Sequence, residues 1–158
     1  GDHRDLHSFP TRRPSDLIRI GYVMGERGLI GEFNKVRNHF GVGRIAQAAA
    51  LAALSDTVYL QQVITQVAGA RNRIAGIASD HGLAPLASAA NFVAIDCGQD
   101  GTYATAVLND LVRQGVFVRM PGVAPLNRCI RVTVGLDHQL EAFAKALPEA
   151  LAAAKRAS

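Results

Sequence analysis

Two stretches, NFVAIDCG (91–98) and CIRVTVG (129–135), alternate side chains with period two, and this limits the possible folds more than any other feature of the chain. In the first, Val93, Ile95 and Cys97 fall on one side and Phe92, Ala94 and Asp96 on the other. A strand with one apolar face must bury that face against another layer. The cover is present in the sequence. TYATAVLNDLVRQG (102–115) is an amphipathic helix that turns Tyr103, Ala106, Val107 and Leu111 inward and closes at Gly115. Asp137 is placed to cap a final helix with Leu140, Phe143, Leu147 and Leu151 on one face, with a kink expected at Pro148. VFVRM (116–120) reads as a further strand, joined to 129–135 by a polar, proline-flanked loop. From Asn91 onward the order is strand, helix, strand, strand, helix. That describes an α/β or α+β layer arrangement, a small sheet with helices on one face.

Upstream, IRIGYVM (18–24) suggests a short strand ending at Gly25, and a helix is predicted over about Leu29 to Asn38, burying Leu29, Ile30, Phe33 and Val36. GVG (41–43) breaks the chain before a second helix over about Arg44–Leu54, Ala-rich in the manner of a buried helix. Ser55 or Asp56 can cap a long third helix, in which Leu60, Val63, Ile64, Val67, Ile74, Ile77 and Ala78 recur at three and four. His81-Gly82 ends it, with Gly82 as a left-handed cap. These helices are expected to pack around the sheet.

At 158 residues, with 49% hydrophobic and 19% charged side chains, the chain describes a globular core. No apolar run reaches the roughly 18 residues of a membrane span, so no membrane partner is expected. Cys97 and Cys129 form neither a disulfide framework nor a metal quartet, which makes a reducing, cytoplasmic setting the default. The three arginines and three aspartates of residues 1–17 cancel, so the net +4 resides in the remainder. Its basic residues are scattered and aromatics are only 6%, where a nucleic-acid footprint needs a basic stripe with stacking platforms.

GVGRIA (41–46) matches G-x-G-x-x-A and opens a helix. A dinucleotide site also needs a strand immediately before it and an acidic residue about twenty positions on. NKVRNHF lacks the one and Gln61-Gln62 stand in place of the other, so a helix–helix corner is the better reading. His39, His81 and His138 are isolated, and no metal site is expected. Three arginines stand out. Arg19, Arg119 and Arg131 each interrupt an apolar strand, where an unpaired buried charge costs several kcal/mol. Arg119 and Arg131, converging from neighbouring strands, would make a cradle for a carboxylate or phosphate. Ion pairing with Asp96, Asp100 or Glu26 is the even alternative.

LIRIGYVMG, FNKVRNHFGVGRIAQAAALAAL, SAANFVAIDCG and GVFVRMPGVAPLNRCIRVTVG together resemble the C-terminal part of the pyridoxal-phosphate-dependent aminotransferases of fold type I, nearest the histidinol-phosphate group, over Ile18 to about Ala154. The resemblance implies a large cofactor domain, a small domain built from both chain ends, and a homodimer. Its segments here are a remnant of the large domain at 18–54, a connecting helix at 55–82 and the small domain at 83–158. Arg19 matches the arginine that binds cofactor phosphate, Arg131 the one that grips the substrate carboxylate or equivalent end, and Arg119 an arginine for substrate phosphate. Asn91 lies in the substrate-domain strand with its role open, and Gly43 departs from the asparagine usual in the stretch reaching the dimer interface. The substrate implied is an amino-acid or amino-alcohol phosphate. An aromatic aminotransferase, a related decarboxylase and a non-catalytic anion-binding small domain remain as rivals.

The family's Schiff-base lysine lies eight residues before its phosphate-binding arginine; here that place holds Thr11, and the preceding serine's place holds Pro10. Threonine can neither form the Schiff base nor move the substrate proton, so no catalytic residue is assigned and the chain by itself is expected to be inactive. Both residues fall in Gly1–Leu17, whose back-translation resembles a short-read sequencing adapter at every position except Pro14. That stretch is read as an adapter-derived, disordered segment outside the fold. Elements that meet the family's N-terminal half are expected to expose a large apolar patch.

Overall fold

The computed structural model describes residues 20–38 and 41–157. The adapter-like stretch, Thr11, Arg19 and His39 lie outside the described residues. The chain divides into two compact units, residues 1–63 and 64–158, and the boundary falls inside a helix.

In the first unit α1 spans Arg27–Val36 and α2 spans Arg44–Ser55. The Glu26 carboxylate caps α1 by accepting from the Leu29 N–H at 3.2 Å, and Lys35 pairs with Glu32 at 2.6 Å. Residues 20–26 have no regular structure, so the strand expected over 18–24 is absent among the described residues. A strand needs a ladder partner for its N–H and C=O groups, and no described residue pairs with this segment. The burial expected of α1 is also not observed. Leu29, Phe33 and Val36 are 56%, 50% and 81% exposed, and neither α1 nor α2 buries a residue. The periodicity marks an apolar stripe correctly but carries no information about what covers it. Met24 and Ile45 are also more than four-fifths exposed.

The third helix, α3, runs Thr57–Asp80, and Asp56 caps it by accepting from the Tyr59 N–H at 2.9 Å. Ser55 instead donates to the Leu51 carbonyl at 3.0 Å. Helix α3 ends at Gly82 (φ +72°), where the Leu83 N–H reaches back to the Ala78 carbonyl at 3.0 Å. Helix α4 (Gly101–Arg113) ends the same way at Gly115 (φ +82°), with the Val116 N–H on the Leu111 carbonyl at 2.8 Å. Both closures need a positive φ, which is why glycine stands at each.

The second unit is a three-stranded antiparallel sheet in the order β1 (Ala84–Pro85), β2 (Phe92–Asp96), β3 (Cys129–Thr133), with α4 and α5 (Asp137–Ala157). Strand β1 escaped the sequence reading because it is two residues long and holds Pro85, tolerable only at an edge. β2 and β3 pair Val93 with Val132, Ala94 with Arg131 and Ile95 with Ile130. Val93, Ile95, Ile130 and Val132 are buried, and Phe92, Ala94, Arg131 and Thr133 are half-buried, so the alternation divides the faces as anticipated. Against the buried face lie Tyr103, Val107 and Leu111 of α4 and Phe143 and Leu147 of α5, joined by Ile74 and Ala78 of α3. One detail differs. Asp137 is the first residue of α5, and its carboxylate accepts from Arg73 at 2.7 Å. Pro148 lies inside α5. The segment 116–120 keeps strand alternation, with Val118 buried and Phe117 exposed, but pairs only through Arg119.

Leu111 is fully buried while its neighbour Val112 is 45% exposed. Leu111→Ala is therefore expected to cost about 2–5 kcal/mol and Val112→Ala less than about 1 kcal/mol. Labelling of Cys97 and Cys129, both buried, along a urea series reads the difference.

Candidate functional site

The sheet face turned away from the core carries Phe92, Ala94, Arg131 and Thr133. β3 lies between β2 and the segment around Arg119, and Arg119 and Arg131 stand directly opposite one another. Their backbones exchange two hydrogen bonds, Arg119 N–H to the Arg131 carbonyl at 3.1 Å and Arg131 N–H to the Arg119 carbonyl at 2.6 Å. Residues paired in this way present their side chains on the same face of an antiparallel ladder. Two guanidinium groups thus extend from adjacent strands on one side of the sheet.

Like charges directly opposite one another are unfavourable, so a partner is expected. The partners anticipated from the sequence are engaged elsewhere. Asp96 is held by Arg128, whose Nε donates at 2.9 and 2.8 Å and whose Nη2 donates at 2.5 Å. Asp100 caps α4 through the Tyr103 N–H at 2.9 Å, and Glu26 caps α1. Among the described residues Arg119 and Arg131 make no ion pair, whereas Arg73, Arg113 and Arg128 each pair with a carboxylate. The Arg131 guanidinium lies instead over the Phe92 ring, 4.8 Å from its centroid.

The sequence reading missed that ring contact and the Asp96–Arg128 pair. Alternation puts Phe92 and Ala94 on one face, but only the register, with Ala94 opposite Arg131, shows that Phe92 comes within diagonal reach. Arg128 sits in a short 3₁₀ turn, Leu126–Arg128, and no periodicity marks it. Arg19 lies outside the described residues. Asn91 contributes its backbone, accepting from the Val134 N–H at 2.9 Å.

The cysteines are buried, and burial pushes the Cys97 thiol up to about 11, which keeps it protonated and unreactive near neutrality. No strand precedes Gly41 in the described residues; helix α1 and a bend do, and Gly43 flanks the start of α2. Among the described residues there is no cluster of three or more His, Cys, Asp or Glu side chains that could hold a metal. No described helix is long and apolar enough to cross a membrane.

With this geometry in place, comparison with known proteins decides the family. Residues 18–147 match the family Aminotransferase class I and II. The chain belongs to this family. It is 39% identical to histidinol-phosphate aminotransferase 1 of Cupriavidus pinatubonensis over 134 residues, 85% of this chain and 36% of that protein. It superposes on histidinol-phosphate aminotransferase from Sinorhizobium meliloti, solved in complex with pyridoxal-5'-phosphate, with a TM-score of 0.82 and 51% identity over 87% of this chain and 38% of that one. A putative aminotransferase from Burkholderia pseudomallei matches with a TM-score of 0.70 at 25% identity over 80% of this chain and 38% of that one. The aminotransferase chain thus spans a little over a third of the length of these relatives.

The Asp96–Arg128 pair ties the end of β2 to the turn that precedes β3, and Asp96 also accepts from the Gly98 N–H at 2.8 Å. Hydrogen bonding from Arg128, aided by the Gly98 amide, holds the Asp96 carboxyl below its ordinary value. A carboxyl depressed in the folded state adds stability that is whole above its unfolded value of about 3.9 and is lost as pH falls through the lower folded value. Asp96→Asn should lower the urea midpoint near pH 7 and narrow the gap to wild type at about pH 3. An equal deficit at both pH values would refute the carboxylate's role.

Proposed function

We propose that the intact protein is a histidinol-phosphate aminotransferase, exchanging an amino group between histidinol phosphate and 2-oxoglutarate or glutamate with pyridoxal phosphate as cofactor, as a cytoplasmic homodimer. The observation that carries this reading is the opposed pair Arg119 and Arg131, two cations on one sheet face with no carboxylate partner among the described residues. A phosphate dianion or a carboxylate satisfies such a pair by charge-assisted hydrogen bonds, and guanidinium forks match both anions. The histidinol-phosphate relatives at 39% and 51% identity favour the phosphorylated amino alcohol as the ligand.

Pyridoxal phosphate, when bound, would supply the carbonyl and the electron-withdrawing ring that transamination requires. The described residues do not complete a site for it. Arg19, which the resemblance assigns to cofactor phosphate, lies outside them, as does Thr11 in the lysine's place. The lysines of the chain are Lys35, paired with Glu32 on α1, and Lys145 and Lys155, exposed on α5; none extends from the strands that carry the arginines. No cofactor step is therefore assigned to these residues. Their share is to bind and orient the substrate: the phosphate is the anionic group of histidinol phosphate, so Arg119 takes it with Arg131 beside it, and Arg131 takes the α-carboxylate when glutamate is the amino donor. Two guanidinium forks on one anion fix its direction where one would leave rotation, and that is worth rate as well as affinity.

A chimera in which residues 20–158 replace the matching segment of the Sinorhizobium meliloti enzyme tests this reading. It is expected to transaminate histidinol phosphate. Arg119→Ala should lower kcat/KM for histidinol phosphate by about 10–100-fold, the loss of one hydrogen bond to a charged group at about 1.5–3 kcal/mol, and change phenylalanine turnover far less. An active chimera whose preference for the phosphorylated substrate survives Arg119→Ala would assign it to the aromatic aminotransferases or decarboxylases instead.

A further inference from the structure

Arg131 differs from the paired arginines of this chain in what neutral group it rests on. Arg73, Arg113 and Arg128 spend N–H donors on carboxylates, while Arg131 lies over the ring of Phe92 at 4.8 Å. A ring face engages a guanidinium through its plane and leaves the N–H donors around its edge uncommitted. We propose that Phe92 is a positioning residue for Arg131, holding the guanidinium flat on the sheet so that its N–H edge is free and oriented for an incoming phosphate or carboxylate.

The surroundings are arranged for this contact. Ala94, directly opposite Arg131, is too small to block the diagonal path to Phe92. The Phe92 backbone is anchored: its carbonyl accepts from the Ser88 hydroxyl at 2.6 Å, and Val134 bonds the adjoining Asn91 carbonyl at 2.9 Å. A free arginine side chain carries rotamer entropy that must be lost on binding. Resting on a ring carried by an anchored strand, Arg131 has surrendered part of that freedom before the anion arrives. This inference rests on the reading of Arg131 as an anion anchor and adds the group that sets its orientation.

The test follows the Arg131 side-chain Nε–H by NMR in the full 158-residue chain during titration with inorganic phosphate. In wild type the signal should move on titration. Phe92→Leu should weaken binding by about 2–5-fold, the worth of one exposed cation–π contact, and Phe92→Tyr should stay within about twofold because the ring face remains. Replacing Phe92 with pentafluorophenylalanine keeps the ring's outline while reversing its quadrupole; it should weaken binding as leucine does. Protection of the buried Cys97 and Cys129 thiols confirms that each variant folds, and the pentafluoro and tyrosine variants carry the comparison if leucine does not. If Arg131 responds with unchanged affinity in both the leucine and pentafluoro variants, Phe92 is a packing residue only and the positioning role is overturned. If Arg131 does not respond in wild type, the anion-anchor reading fails and this inference falls with it.

Discussion

The register between β2 and β3 is the constraint on which the site depends. Side chains alternate faces with period two, so slipping β3 by one residue would carry Val132 out to solvent and Arg131 into the core. The core forbids that slip, because Val93, Ile95, Ile130 and Val132 pack against α4 and α5 in a cluster without a buried polar or charged residue among those described. An unpaired guanidinium placed there would cost several kcal/mol. The apolar face thus fixes the arginine face. The hydrogen bonds between Arg119 and Arg131 then transmit the register to a segment that is not otherwise a strand.

How much of this was legible beforehand depends on whether the determinant is local. The inward sets of α4 and α5 and the two faces of β2 follow from spacing along one element, and the structure reproduces them, with Ala104 buried and Ala106 half-buried where the sequence had favoured Ala106. The glycine closures after α3 and α4 were legible because few other residues tolerate their φ. What failed was non-local. The segment 116–120 has strand alternation, but alternation does not reveal how many rungs find a partner, and here one does. The stripe on α1 is a true stripe that stays exposed among the described residues. The interruption of apolar strands by arginine identified Arg119 and Arg131, yet left open whether acids or a ligand would meet them.

The structure narrows that choice by accounting for the acids. Asp96, the candidate on the strand paired with β3, lies on the same strand face as Phe92 and Ala94 but at the far end of β2, where Arg128 reaches it with two nitrogens. The two arginines three residues apart therefore do different work. Arg128 spends its donors on holding the turn before β3, a structural use. Arg131 spends none of its own on a described carboxylate. A carboxylate placed within reach of Arg131 would have erased the difference.

Every group that sets this geometry lies between Ile74 and Ala154: the sheet, the helices on its inner face, the Asp96–Arg128 tie and the Phe92 ring. The arginine pair is thus positioned within the second unit and needs nothing from residues 20–63 to be placed. The division has a chemical logic. Orienting an anion requires only rigid cations on a defined face, which a small sheet with a dry core supplies by itself. Moving a proton at carbon requires a titratable group brought to the reacting atom, and Asp96, the described carboxylate on this face, is spent on Arg128 at the far end of β2. The second unit thus holds two cations on a defined face by its own packing, whatever group meets them.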